Sequence, residues 1–274
     1  MAEPTPAPLY ASGAHRWLTQ KGFELSGVTD KSVGVDRTVR DPIDQKPGWT
    51  TQIHAGDTIS TILVDHANDP DLFAIDVKKQ EEHGAIELTH TGLAPYESQR
   101  FVNMGLNSSA EDLKYLYLSW ALHYLEDCGM PWHTTLDPFI QAALHYKMEG
   151  YIDANLSKWE EAVGAAPVKS VTNIHNSAWE LAEFVNPYVI IMAEAWGKDP
   201  ATGQYGDAPL HPDVLDTAIQ TVLVETVGMV AGAIRNYNYL FDAQGAPPSI
   251  ITAVVFGVPI VIMASAILGA KEKK

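Results

Sequence analysis

Three histidines and two of the four carboxylic acids in the stretch HYLEDCGMPWHTTLDPFIQAALHYKME, from residue 123 to residue 149, could bind metal ions. They are His123, Asp127, His133, His145 and Glu149. Within two of the pairs, His123–Asp127 and His145–Glu149, the residues are four positions apart. Side chains at i and i+4 share one face of a helix, so each pair could grip one metal ion. Imidazole nitrogen and carboxylate oxygen are the usual ligands of zinc.

Pro131 separates the two pairs and ends the first predicted helix, which leaves His133 just beyond that helix. A single His/acid pair is more often an ordinary polar face exposed to solvent. Two pairs with a histidine between them, flanked by apolar helix, favour a metal site instead. Cys128 lies inside this stretch, and we interpret it as a small packed side chain rather than a ligand.

The composition limits the class of protein. The chain has 274 residues, 46% of them hydrophobic, which is enough for one sizeable core or two small ones. Its formal net charge of −16 argues against a protein that coats nucleic acid, because an acidic surface repels phosphate. Its single cysteine rules out a disulfide within the chain.

The hydrophobic pattern predicts an all-α fold, with no alternating strand pattern of any length. The predicted helices are an amphipathic run from His15, a short helix from Asp57 to about 69, an apolar helix from about 111 to 127, and helices near 138–161, 174–197 and 212–242. The apolar helix has Tyr, Leu and Trp around its circumference, so we expect it to be central and buried. A buried histidine–aspartate pair there is costly unless it is paired or metal-bound.

Two further segments carry candidate residues. Asp65 follows an apolar run at the end of the short helix, and the sequence leaves it equally open as a ligand or as a helix-end feature. Residues 69–107 are predicted to be long, irregular and rich in histidines and acids, including His83 and His90. A loop of this length is usually functional, and here it could lie over the metal cleft.

Residues 250–270 carry no charge and are long enough, at about 1.5 Å per residue, to cross a hydrocarbon core of ~30 Å. The lysine-rich tail 271–274 follows at once, so the positive-inside rule places the tail in the cytoplasm and the main domain outside. The alternative is a buried core helix. We expect 245–249 to be a linker and 1–14 to be a flexible segment with no visible secretory signal.

The spacing H-x3-D-x5-H, followed by H-x3-E on the next helix, resembles the zinc-dependent phospholipase C family, whose fold is shared with the fungal single-strand-specific zinc nucleases. The resemblance extends to AHRW around His15, to VDH around Asp65, to LTHTGLAPY around His90 and to AGAIRNYNYLFDAQG near the end of the domain. It covers most of residues 10–245 and is densest in 118–152.

This resemblance implies a compact helical domain over residues 15–244 that holds two or three zinc ions. By analogy, the ligands would be Asp65, His90, His123 and Asp127 for the first ion, His133, His145 and Glu149 for the second, and His15 with Asp127 for the third. Asp127 would then bridge two ions. His83 competes with His90 for the role of loop ligand, and the tryptophan that begins the mature family proteins has no counterpart near Met1.

The function implied by the resemblance is phosphodiester hydrolysis by a metal-activated water, with Asp65 orienting or deprotonating that water. Together with the predicted anchor, this indicates a membrane-anchored phospholipase C whose catalytic domain is extracytoplasmic. The alternatives are an extracytoplasmic zinc nuclease or nucleotidase, and a zinc-binding surface protein without turnover. Hydrolysis of phosphatidylcholine compared with single-stranded DNA separates the two enzymes, and bound zinc without any hydrolysis indicates the third.

Overall fold

The computed structural model of the chain describes residues 13–40, 48–73, 93–135, 138–198 and 204–245. Several sequence predictions fall outside these residues. They concern the loop histidines His83 and His90, the apolar span 250–270, the tail 271–274, and most of the predicted flexible start and linker. The structure does not test those predictions.

The described part of the chain is mainly helical, which confirms the predicted all-α class in its coarse form. The helices are α1 (Gly13–Ser26), α2 (Ile59–Asp65), α3 (Asp69–Phe73), α4 (Ala94–Asn107), α5 (Glu111–Cys128), α6 (Pro138–Asn155), α7 (Glu160–Gly164), α8 (Ile174–Val185), α9 (Tyr188–Trp196) and α10 (Pro212–Gly245). Two 3-10 turns lie at Pro131–His133 and Leu156–Lys158.

A small antiparallel hairpin was not expected from the sequence. Strand β1 (Arg37–Arg40) pairs with strand β2 (Thr50–Ile53), and Arg37 lies opposite Ile53. Each strand has four residues, and Thr and Arg supply most of them. Because only Thr51 and Ile53 of β2 are buried, the hydrophobic alternation is too short to mark a strand.

Three helix boundaries differ from the prediction. Helix α4 lies within the segment expected to be irregular, and it begins with Pro95 in its first turn, where a missing N–H costs nothing. The helix expected over 174–197 divides into α8 and α9 at Pro187, as the proline suggested. The helix expected over 138–161 ends at Asn155 and continues as a 3-10 turn and the short helix α7.

Helix α5 is the centre of the fold, as predicted. Fifteen of its residues are buried, and they lie on all of its faces. Two buried hydroxyl groups tie neighbouring helices to it: Ser98 of α4 donates to the Ala121 carbonyl at 2.7 Å, and Ser119 of α5 donates to the Leu63 carbonyl of α2 at 2.7 Å. Helices α4, α2, α8 and α10 pack against α5, whose last two turns carry the candidate ligands His123 and Asp127.

Helices α1 and α10 pack closely because Gly22 faces α10. A Cβ atom at Gly22 would overlap the side chain of Val230, whose Cβ lies 3.0 Å away. Since overpacking of a filled core is destabilising, we expect Gly22→Ala to lower the free energy of unfolding by about 1–3 kcal/mol. Chemical denaturation followed by circular dichroism measures this change.

The matched control is Gly150→Ala on α6, where no heavy atom lies within 4 Å of the added Cβ. That substitution only improves helix propensity, so it should raise stability by up to ~1 kcal/mol. Equal effects of the two substitutions would contradict the close packing of α1 on α10.

One of the described helices, Pro212–Gln244 of α10, is long and apolar enough to cross a membrane by length and composition. Within its most apolar window, 72% is buried inside the protein, as expected for a core helix. This helix is distinct from the predicted span 250–270, which lies outside the described residues.

Candidate metal centre

Four elements place six of the eight predicted ligands in two neighbouring groups. The inner group consists of His15 from α1 with His123 and Asp127 from α5. The outer group consists of His133 from the 3-10 turn with His145 and Glu149 from α6. Within each group, the candidate ligand atoms all lie within 4.8 Å of one another, which is close enough for one metal ion to bind all three.

The inner group is buried, with 0–8% of each side chain exposed. The Nε2 atom of His15 lies 3.5 Å from Oδ1 of Asp127, and Nε2 of His123 lies 3.6 Å from Oδ2. The two imidazole rings are 4.3 Å apart between centroids. These separations are longer than hydrogen bonds, so the ligand atoms face one another across a gap.

The ring of His123 has a defined orientation and tautomer. Its Nδ1 atom lies 2.9 Å from the Ala67 carbonyl oxygen, which can only accept a hydrogen bond, so Nδ1 carries the proton. In the neutral ring, Nε2 then presents a lone pair toward Asp127 and toward Oδ1 of Asp71, 3.4 Å away. A cation bound among these three atoms would be attracted to both carboxylates and could accept the nitrogen lone pair.

In the outer group, both histidines approach the same oxygen of Glu149. The Nε2 atom of His145 lies 2.6 Å from Oε1, and Nε2 of His133 lies 3.7 Å from it. The two rings are 4.5 Å apart between centroids and nearly perpendicular, at 79°. The i, i+4 spacing on α6 therefore brings His145 and Glu149 together as predicted, and the turn after Pro131 carries His133 to them.

Asp127 connects the two groups. Its Oδ1 atom lies 3.5 Å from Nε2 of His15 and 3.8 Å from Nε2 of His133. Its Oδ2 atom faces His123 of the inner group. One carboxylate thus lies between imidazoles of both groups, which is the position that a bridging ligand would need.

The acids and imidazoles of the two groups shift one another's pKa values. Burial lowers the pKa of His15, but its hydrogen bond to Glu126 and the charges of Glu126, Asp127 and Asp71 outweigh burial and raise that pKa to about 10. Burial raises the pKa of Glu149, but the imidazoles of His133 and His145 outweigh burial and lower it to about 2. His15 and Glu149 are thereby held in their charged forms, whereas burial lowers the pKa of His133.

The donor set fits zinc. The two groups supply imidazole nitrogens and carboxylate oxygens only, which is a combination that zinc binds in proteins. Burial raises the pKa of the Cys128 thiol well above its usual range, and Cys128 belongs to neither group. The interpretation of Cys128 as a packed side chain is consistent with its complete burial in the core.

Asp65, predicted as a ligand and as the catalytic residue, lies outside both groups. About half of its side chain is exposed (51%), and it forms an ion pair with Arg16. Asp65 is the last residue of α2, and the chain then turns through His66 before α3 begins. In this arrangement Asp71 of α3, rather than Asp65, extends toward His123.

Two functional candidates, Asp71 and Glu126, were not identified from the sequence. Asp71 was hidden in the segment expected to be irregular. Glu126 precedes Asp127 and lies three positions after His123. This i, i+3 spacing on a helix could have identified it from the sequence. The loop histidines His83 and His90 fall outside the described residues, so which of them is the loop ligand stays open.

The site is more accessible from the outer group. Side-chain exposure there is 7% for His133, 14% for Glu149 and 24% for His145, compared with 0% for His123. Tyr146 is 58% exposed, and its ring stacks on that of His145 at 5.1 Å. Among the described residues, His145 and Glu149 of the outer group are therefore the most exposed of the six ligands, and Tyr146 lies beside them.

Zinc binding should depend on pH in a defined direction. With the pKa of His15 raised to about 10, the metal-free chain carries an imidazolium there at neutral pH. Its Nε2 proton must leave before that atom can bind a cation, so we expect zinc affinity to fall as pH falls, by at most about tenfold per pH unit.

Calorimetric titration of zinc in two buffers that differ in ionisation enthalpy counts the protons released. The Nδ1 proton stays on His15, where it is hydrogen-bonded to Glu126, and only the Nε2 proton leaves, so the expected release from His15 is about one proton. Affinity that does not change between about pH 6 and pH 8 would contradict this competition.

No family model, curated protein or solved structure matches the chain. The resemblance to the zinc-dependent phospholipases C therefore stays a prediction that rests on the ligand motifs. The structure itself provides two groups of histidines and acids that could hold metal ions, carried by a mainly helical fold.

Proposed function

We propose that this protein is a zinc-dependent phosphodiester hydrolase of the phospholipase C type, anchored to a membrane through residues 250–270, with its helical domain on the extracytoplasmic side. The zinc ligands are His15, His123, Asp127 and Asp71 on the inner side, and His133, His145 and Glu149 on the outer side. Asp127 contributes to both.

The position of Asp127 carries this proposal. A carboxylate within 3.5–3.8 Å of three imidazole nitrogens from two groups supports adjacent cations that share one ligand. Adjacent metal ions suit phosphodiester hydrolysis because they stabilise both the attacking and the leaving oxygen of an in-line displacement. An isolated structural zinc site has no need of a shared carboxylate, since four ligands around one ion suffice.

Bound zinc would neutralise the charge of the substrate phosphate and lower the pKa of water toward ~7. The fold holds the ligand atoms in place: the backbone carbonyl of Ala67 orients His123, and the i, i+4 spacing on α6 aligns His145 with Glu149. His145 and Glu149 are the more exposed ligands, so we expect the phosphate to approach from the outer group, where the exposed Tyr146 ring offers an apolar contact to the rest of the substrate.

A phospholipid is the proposed substrate for two reasons. The net charge of −16 disfavours long polyanions such as nucleic acid. An anchor at residues 250–270 would hold the domain near a bilayer and raise its effective concentration over lipid.

The test uses the full chain in mild detergent, with metal content and hydrolysis measured on the same sample. We expect zinc to be present and to be removed by a chelator, with release of a water-soluble phosphate ester from phosphatidylcholine that stops on chelation and returns with zinc. Single-stranded DNA is the parallel substrate.

Hydrolysis of DNA without hydrolysis of phosphatidylcholine would replace the proposal with the zinc nuclease. Stoichiometric zinc with no turnover across a panel of diesters would replace it with a zinc-binding protein that is not an enzyme. A chain that binds no zinc would overturn all three.

A further inference from the structure

Glu126 is a fully buried carboxylate that belongs to neither ligand group. Its side chain is 0% exposed in the centre of the fold, one position before Asp127. Its Oε2 atom lies 2.8 Å from Nδ1 of His15, and its Oε1 atom accepts a hydrogen bond from the Thr19 hydroxyl at 2.7 Å. Both of its oxygens are therefore engaged by α1.

We propose that Glu126 is the positioning residue for His15, and that it holds the ring so that Nε2 is presented to the inner metal; this inference rests on the proposed metal centre. An ionised carboxylate can only accept a hydrogen bond, so Nδ1 of His15 must donate the proton. In the metal-bound ring, Nε2 is then the free ligand atom, and it is this atom that lies 3.5 Å from Asp127.

The same arrangement is seen at His123, where the Ala67 carbonyl accepts from Nδ1 at 2.9 Å and Nε2 faces the acids. Both imidazoles of the inner group are thus oriented by an acceptor behind the ring. Metal-ligating histidines generally donate their other N–H in this way, which fixes the tautomer and makes the ligand nitrogen more basic. A charged acceptor does this more strongly than a carbonyl.

Helix packing alone does not account for Glu126. Burying a carboxylate is costly, and apolar residues of similar size would join α1 to α5 at least as well. His15 and Thr19 are one helical turn apart on α1, so each binds one oxygen of the carboxylate. Together these two hydrogen bonds fix the position of His15 along the axis of α5. The arrangement therefore sets the orientation of one ligand.

The test is Glu126→Gln in the full chain, which keeps the shape of the side chain and removes its charge. The apo protein is titrated with zinc, and separately with cobalt, whose visible absorption reports ligand geometry. We expect one class of site to weaken about 10–100-fold and its cobalt spectrum to change, while the second class keeps its affinity. The matched control is Glu225→Gln on α10, which removes the charge of a largely buried carboxylate that is paired with Lys169.

The outcomes separate the two proposals. Binding by Glu126→Gln within about threefold of the unmodified chain at both classes of site would overturn the role of Glu126. An unmodified chain that binds neither metal would instead overturn the metal centre. Should Glu126→Gln lose its helical circular dichroism, Thr19→Val takes its place, because it removes one hydrogen bond to Glu126 and leaves the charge. A smaller loss in the same class of site is then expected, and no loss overturns the inference.

Discussion

Replacing Asp127 with asparagine is expected to deplete metal from both groups and to lower hydrolysis of a chromogenic phosphodiester on the order of a thousandfold. The reason is its shared position, since Oδ1 and Oδ2 face His15, His123 and His133. The variant loses one negative charge where two cations would meet, so each of them is held more weakly. Zinc content per chain and the rate of hydrolysis are measured together.

Asp112→Asn is the matched control for this substitution. Asp112 lies on the same helix, is 1% exposed and forms an ion pair with Arg37 at 2.6 Å, but it is 15 residues away in sequence. At about 1.5 Å per residue this places it ~22 Å along the helix from Asp127. Asp112→Asn should lose stability and keep its zinc. Full activity and full zinc content in Asp127→Asn would exclude a shared ligand.

The second large effect separates Asp71 from Asp65. We expect Asp71→Asn to lower hydrolysis about a hundredfold, since an acid that faces His123 at 3.4 Å would be lost from the inner group. Asp65→Asn should leave hydrolysis within about twofold, because Asp65 is half-exposed and pairs with Arg16, and exposed ion pairs contribute little.

These two variants test the structure directly against the family analogy. The predicted roles of Asp65 are metal ligand and the residue that orients or deprotonates the water, whereas the geometry favours Asp71 as the ligand. A large loss in Asp65→Asn together with normal zinc binding by Asp71→Asn would restore the analogy and contradict the arrangement of α2 and α3 described above. Arg16→Gln, which removes the partner of Asp65, is expected to behave like Asp65→Asn.

Much of the site could be predicted because helical spacing is a local property. The i, i+4 pairs required only that α5 and α6 form, and their apolar composition makes that a strong expectation. Pro131 likewise predicted the end of α5 and the turn that carries His133. The joining of the two pairs around Asp127 followed from the family resemblance and not from the spacing, because it depends on how α1 and the turn Pro131–His133 position α6 relative to α5.

The choice between Asp65 and Asp71 could not be made from the sequence. Both acids lie near helix ends in one acidic segment, and only the turn between α2 and α3 decides which of them faces α5. Arg16, which pairs with Asp65, stands on α1 and is remote in sequence. The hairpin of β1 and β2 was missed for a similar reason, since four-residue strands carry almost no periodic signal.

The contribution of α1 to the inner group has a consequence for the whole molecule. His15 and its partner Glu126 are separated by 111 positions, and the chain has a single cysteine, so no disulfide within it can join distant segments. A cation gripped by His15 and by α5 would act as a non-covalent cross-link between these distant parts. In the entropic account of such cross-links, closing a loop of about 100 residues contributes about 4–5 kcal/mol, and a metal supplies it only while bound. Occupancy of the site would thereby govern how long the first helix stays docked on the body of the protein.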